Sequence, residues 1–134
     1  MVRAAGVLAC AVGLGFGLPC IFAIWHFASY GEVWTFMGFP TYGDGPFEAI
    51  GLQTTVPLLV AFLLTCTAEL LAGWLLWQRL RLGAVLAFAL LPAEFALWIG
   101  FALPVGPAAG VARTVLLLLG WSSLSRRRPP RSQA

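Results

Sequence analysis

Glu69, Glu94 and Arg113 stand inside long apolar runs, and of the strongly ionisable residues they alone do so. A charged side chain at the centre of a hydrocarbon layer costs roughly 2.5–3.5 kcal/mol on insertion scales, so such groups turn inward and pair. Glu94 falls roughly 10 Å from the outer end of its helix at the α-helical rise, and Arg113 a similar distance from the outer end of the next. Consecutive helices joined by a short connection are antiparallel neighbours, so a Glu94–Arg113 ion pair is expected. Two roles are open to it: a lock between two helices, or one wall of an outer-half cavity for a polar, anionic or amphiphilic ligand. Gly106, Ala109, Gly110 and Gly120 recur around Arg113 and make a face that another helix can approach closely. Pro92 lacks an N–H and leaves a carbonyl of the preceding turn free for Arg113 or a water.

Glu69 lies deeper, in the inner half of its helix and roughly 12 Å from the cytoplasmic end. That depth sets it apart from Arg113. Thr65 and Cys66 precede it by a turn, and Ala72 and Gly73 follow by a turn, so its face is small, polar and inward. A hydrogen-bonded structural carboxyl and a proton or ligand handle are both open to it. His26, the only histidine, falls near the outer end of the first helix, where an interfacial or hydrogen-bonding role fits better than a metal. The chain has no C-x-x-C, no H-E-x-x-H and no recognisable Ser-His-Asp set, so neither a metal nor a catalytic centre is expected. Asp44 between Gly43 and Gly45 reads as a turn residue, since a calcium loop needs further oxygen ligands in register. Cys10 and Cys20 lie about 15 Å apart on one helix, too far to bridge. A Cys20–Cys66 contact stays open, with buried free thiols expected.

Composition says what must position these groups. Of 134 residues, 60% are hydrophobic and 10% charged, against about 25% charged in soluble domains. So few charges cannot cover a surface that faces water, and lipid is the expected solvent. The pattern predicts an all-α polytopic membrane protein, an antiparallel bundle of four transmembrane helices over about 4–27, 56–77, 82–100 and 106–121. An aromatic outer loop, 28–55, is expected to sit at the interface, with short helical pieces near Trp34–Phe36 and Phe47–Ile50 and a turn over Thr41–Pro46. Residues 122–134 read as a disordered basic tail.

The basic residues orient the chain. Lysine is absent, and Arg3, Arg79, Arg81, Arg126, Arg127, Arg128 and Arg131 fall on one side of the four runs, with Glu32, Asp44 and Glu48 on the other. The positive-inside rule then places both termini in the cytoplasm of a multi-pass cell-membrane protein. Basic surface interleaved with aromatics is missing, so nucleic acid is not an expected partner. The tail arginines suit anionic lipid or a cytoplasmic partner. Ala5, Ala9, Gly13 and Gly17 form a small-residue ladder that suits packing within the bundle, or contact with a membrane-protein partner or a second copy.

One stretch resembles a known family. Ala68-Glu69-Leu70-Leu71-Ala72-Gly73-Trp74-Leu75-Leu76 and Arg81-Leu82-Gly83-Ala84-Val85-Leu86, with Gly38-Phe39-Pro40 before them, are similar to the second and third helices of DoxX-like membrane proteins. The likeness covers roughly residues 36–90, and the family's Gly- and Asp-containing ending has no counterpart. It implies a four-helix fold and an accessory place in a membrane oxidoreductase assembly, with quinone as the associated cofactor. The residues themselves display no redox centre. The expected function is thus an accessory membrane subunit, with ligand binding or transport, or a lipid- or quinone-linked enzyme using Glu69, as the alternatives.

Overall fold

The computed structural model describes residues 1–36, 39–40, 42, 45–103 and 105–125. Three helices are long and apolar enough to cross a membrane: α1 (Val2–Tyr30), α3 (Val56–Trp77) and α4 (Arg81–Gly100). A fourth apolar helix, α5 (Val105–Leu119), is shorter. Between α1 and α3 lie a two-residue ladder, β1 (Thr35–Phe36) with β2 (Phe39–Pro40), and a single helical turn, α2 (Pro46–Ala49).

The four apolar helices form a closed antiparallel set in which α1 and α4 each pack on both α3 and α5. Register gives the direction: Gly6 of α1 faces Gly73 of α3, whereas Gly17 faces Cys66. In the same way Gly120 meets Val2, and Gly106 meets Trp98. Ala5, Ala9, Gly13 and Gly17 are all buried inside this chain. A Cβ added to Gly13 would lie 2.9 Å from the Cys66 carbonyl oxygen, so the ladder is what lets α1 and α3 close. Ala9, Gly13 and Gly17 thus pack within the bundle, the first of the uses expected of the ladder.

The first helix is longer than expected and ends at Gly31, whose φ of 68° is the left-handed conformation that glycine adopts without strain. The helical piece expected at Trp34–Phe36 is instead extended. Trp34, Thr35 and Phe36 favour the pleated conformation, and Phe39 is held extended by Pro40 after it. The turn near Phe47 does form, as α2. Thr41, Gly43 and Asp44 of the expected turn, and Gly38, lie outside the described residues.

The tail also departs from expectation at its start. After α5 the chain makes a 3-10 turn at Trp121–Ser123, and Leu124 is buried. Ser125 then pairs with the α3–α4 loop: its N–H donates to the Arg79 carbonyl at 2.8 Å, and the Arg81 N–H donates to the Ser125 carbonyl at 3.1 Å. A buried leucine and backbone pairing hold these residues in place. Arg126–Arg128 and Arg131 lie outside the described residues.

The core has two apolar halves. The half beside the loop between α1 and α3 is aromatic, built on Phe62, Trp98, Phe101 and Tyr42 of that loop. The other half is small and aliphatic, built on Ala5, Ala72, Leu76, Ala84, Ala87 and Leu117. A layer of charge lies between them.

Candidate functional site

That layer is made by one residue from each of three helices: Glu69 on α3, Glu94 on α4 and Arg113 on α5. Their exposures are 2%, 1% and 1%. The Arg113 guanidinium is the hub. Its Nη1 donates to Glu69 Oε1 at 2.5 Å and to Glu94 Oε1 at 3.1 Å. Its Nη2 donates to Glu94 Oε2 at 2.5 Å and reaches the Ala87 carbonyl at 3.5 Å. Glu94 is therefore held by both forks of the planar guanidinium, the geometry that makes arginine–carboxylate pairs strong. Glu69 is held by one.

The local sequence explains why all three turn inward. Trp98 lies one turn beyond Glu94, and Gly106 and Gly110 give it room, since a Cβ on Gly110 would sit 2.7 Å from the Trp98 ring. Flat contact there brings α5 close to α4 and aims Arg113 between them. On α3, Cys66, Glu69, Ala72 and Gly73 are all buried, so Glu69 shares the face that meets the other helices. Thr65 donates instead to the Ala61 carbonyl of its own helix at 3.0 Å and stays out of the site.

The separation expected between Glu69 and Arg113 is corrected by this arrangement. The arginine side chain is long enough to touch a carboxyl on each neighbour, and one site replaces two. The carbonyl it reaches belongs to Ala87, one residue before Phe88, whose bonding partner Pro92 removes. His26 is elsewhere: its Nδ1 lies 3.2 Å from the Glu32 carbonyl oxygen at the C-terminal end of α1, and its ring is 4.9 Å from that of Tyr30. The cysteines are free thiols, with Cys20 donating to the Leu59 carbonyl at 3.4 Å. Among the described residues no group of three or more His, Cys, Asp or Glu side chains could hold a metal.

Two features went unread in the sequence. The first is Tyr42, which plugs the loop end of the bundle with 2% exposure, its hydroxyl donating to the Phe16 carbonyl at 2.6 Å. Burial pushes its phenol above the ordinary range, with Cys20 and Cys66 adding to the effect. The second is a small clasp below it, in which Thr54 donates to Glu48 at 2.5 Å and the Gly45 N–H donates to the same carboxylate at 2.8 Å. A tyrosine amid glycines looks like a turn residue, and only the cavity it fills reveals its use.

The chemistry open to the triad is limited by its closure. One cation faces two carboxyl groups, all beyond the reach of bulk water. Within the triad Arg113 Nε, buried as well, has no hydrogen-bond partner among the described residues. Compared with known proteins, the chain matches no family model, no curated protein and no solved structure.

Proposed function

We propose that the chain is a four-span integral protein of the cell membrane, with both termini cytoplasmic, that works as a non-catalytic accessory subunit of a membrane assembly. The observation that carries this reading is the closed triad. The three buried ionisable groups of the apolar helices, Glu69, Glu94 and Arg113, are engaged with one another at 1–2% exposure, holding α3, α4 and α5 together. What remains available to other molecules is the outside of the bundle. Leu18, Leu64, Leu82 and Leu118 project from four different helices with 61–64% exposure, a surface suited to lipid or to other membrane helices.

The fourth crossing is supported by where the chain goes after α5. A 15-residue helix is about 22 Å long, short of a hydrocarbon core of about 30 Å. The 3-10 turn and Leu124 complete the distance, because Ser125 bonds to the same loop from which α4 starts. Whatever α4 crosses, the segment from Val105 to Ser125 crosses back. The arginine distribution then sets the orientation.

Co-purification from membranes in mild detergent tests the subunit reading, with the triple variant R113M/E69L/E94L as the decisive partner experiment. Replacing a buried ion cluster with apolar side chains of similar volume is often neutral or stabilising. The variant should therefore fold and keep its partners. A strictly monomeric wild type that brings down no other protein refutes the reading. The resemblance to DoxX-like proteins makes an oxidoreductase the first partner class to look for.

A second reading, ligand binding beside Glu94 and Arg113, is favoured by the unpartnered Nε of Arg113, a buried donor with capacity to spare. Under it the triple variant folds but loses its biological activity.

A further inference from the structure

On the outer surface of α1 and α3, toward their cytoplasmic ends, runs an apolar groove of about 350 Å³. Gly6, Cys10 and Gly73 form its floor, with Val7, Trp74 and Trp77 as its walls. The floor exists because the two backbones meet there: a Cβ on Gly73 would sit 2.6 Å from Cys10 Sγ and 2.8 Å from the Gly6 carbonyl oxygen. Trp74 and Trp77 stand up beside it, 55% and 50% exposed. From Gly6 to Leu14 it extends about 12 Å along α1, a length of bilayer that an acyl chain occupies.

The mouth of the groove carries charge. The Arg3 guanidinium lies 5.2 Å from the centroid of the Trp77 ring, a cation–π contact that holds it at the rim. Arg3 is exposed and forms no ion pair among the described residues. The described carboxylates lie elsewhere: Glu69 and Glu94 are engaged by Arg113, and Glu32 and Glu48 belong to the outer loop. Arg79 and Arg81 lie two and four residues beyond Trp77, outside the lining of the groove. An apolar channel at acyl depth, opening on uncompensated arginine at headgroup depth, is complementary to one class of molecule.

We propose that this groove binds an anionic phospholipid, its acyl chain laid over Gly6, Cys10 and Gly73 and its phosphate at Arg3. The proposal rests on the four-span reading above, which places Arg3 at the cytoplasmic interface. It is distinct from adhesion of the tail, because the site is formed by α1 and α3 alone.

The test reconstitutes the full chain in phosphatidylcholine vesicles containing a small, equal fraction of either brominated phosphatidylglycerol or brominated phosphatidylcholine. Bromine quenches tryptophan on contact, and the groove's share is the signal lost in W74F/W77F. One basic residue near a membrane surface should give phosphatidylglycerol about a fivefold preference in that share. R3Q should abolish the preference, and Ala11→Phe, which fills the groove without changing charge, should lower it. R126Q/R127Q/R128Q/R131Q should keep it. Circular dichroism and a single elution peak establish that each variant is folded. Equal quenching by both lipids, or a preference lost with the tail arginines and kept in R3Q, overturns the lipid site and leaves the four-span reading standing. Absence of quenching by either lipid overturns both.

Discussion

Replacing Arg113 with alanine removes the one cation that two buried carboxyl groups share. Both partners are at most 3% exposed in their side chains, so neither can recover its solvation by a rotamer change. Breaking a buried pair by removing one partner costs about 3–5 kcal/mol, because a charge is left buried and uncompensated. Here two carboxyls lose their partner at once, so R113A should reach the top of that range or fail to assemble. The glutamate variants should be unequal. Glu94 takes hydrogen bonds from both Nη1 and Nη2, and glutamine in its place turns an amide N–H₂ toward a guanidinium nitrogen. E94Q should cost roughly 1.5–3 kcal/mol, the scale of a hydrogen bond to a charged group. Glu69 takes one bond from Arg113, which the glutamine carbonyl can still accept. E69Q should cost about 1 kcal/mol or less. Unfolding in mixed micelles by titration with an anionic detergent measures each variant. Double-mutant cycles on Arg113–Glu69 and Arg113–Glu94 then isolate the two couplings. If R113A is as stable as wild type, or if E69Q costs more than E94Q, the hub description is wrong.

Tyr42→Phe deletes the hydroxyl bonded to the Phe16 carbonyl and should cost about 0.5–1.5 kcal/mol in the same assay. Because burial raises the Tyr42 phenol in the folded state, its contribution is complete below the ordinary tyrosine value near pH ~10. It is lost above that value, at about 1.4 kcal/mol per pH unit. Wild type should therefore destabilise more steeply than Y42F on alkaline titration, and parallel curves would refute this. Gly13→Leu forces a side chain against the Cys66 carbonyl and should cost roughly 1–3 kcal/mol by overpacking. Gly15→Leu, where a Cβ meets nothing within 4 Å, should cost nothing measurable, and equal losses at the two glycines would contradict the assigned α1–α3 face. For topology, G51C in intact cells should react with a membrane-impermeant maleimide, whereas Q78C should react only after permeabilisation; the reverse pattern inverts the chain.

Much of the fold was legible because apolar length is a direct physical requirement of the bilayer. The runs 56–77 and 82–100 match α3 and α4 almost residue for residue, since Thr55 caps one, Gln78–Leu80 separates them and Phe101 ends the other. What composition could not supply was the fate of residues whose environment is tertiary. Leu124 looks like part of a polar tail until the α3–α4 loop offers Ser125 its backbone partners. Trp34–Phe36 is apolar enough for an interfacial helix, yet β-propensity and Pro40 favour the extended form. The small-residue ladder announced close packing without saying against what, and only the register of α1 on α3 assigns it.

The site is legible in its residues but not in its connection, because depths counted from opposite helix ends compare fairly only when helices are equally long. They are not: α3 has 22 residues and α5 has 15, a difference of about 10 Å in length. From their C-terminal ends, Trp77 and Leu119, Glu69 and Arg113 stand at roughly 12 and 9 Å. They are nearly level, and the arginine side chain spans what remains. Glu94 is reached by the same guanidinium from the other side. The consequence is a hierarchy that pairwise reading hides. Loss of either glutamate loosens one helix from α5, whereas loss of Arg113 loosens two, and it does so in the layer between the aromatic and aliphatic halves of the core.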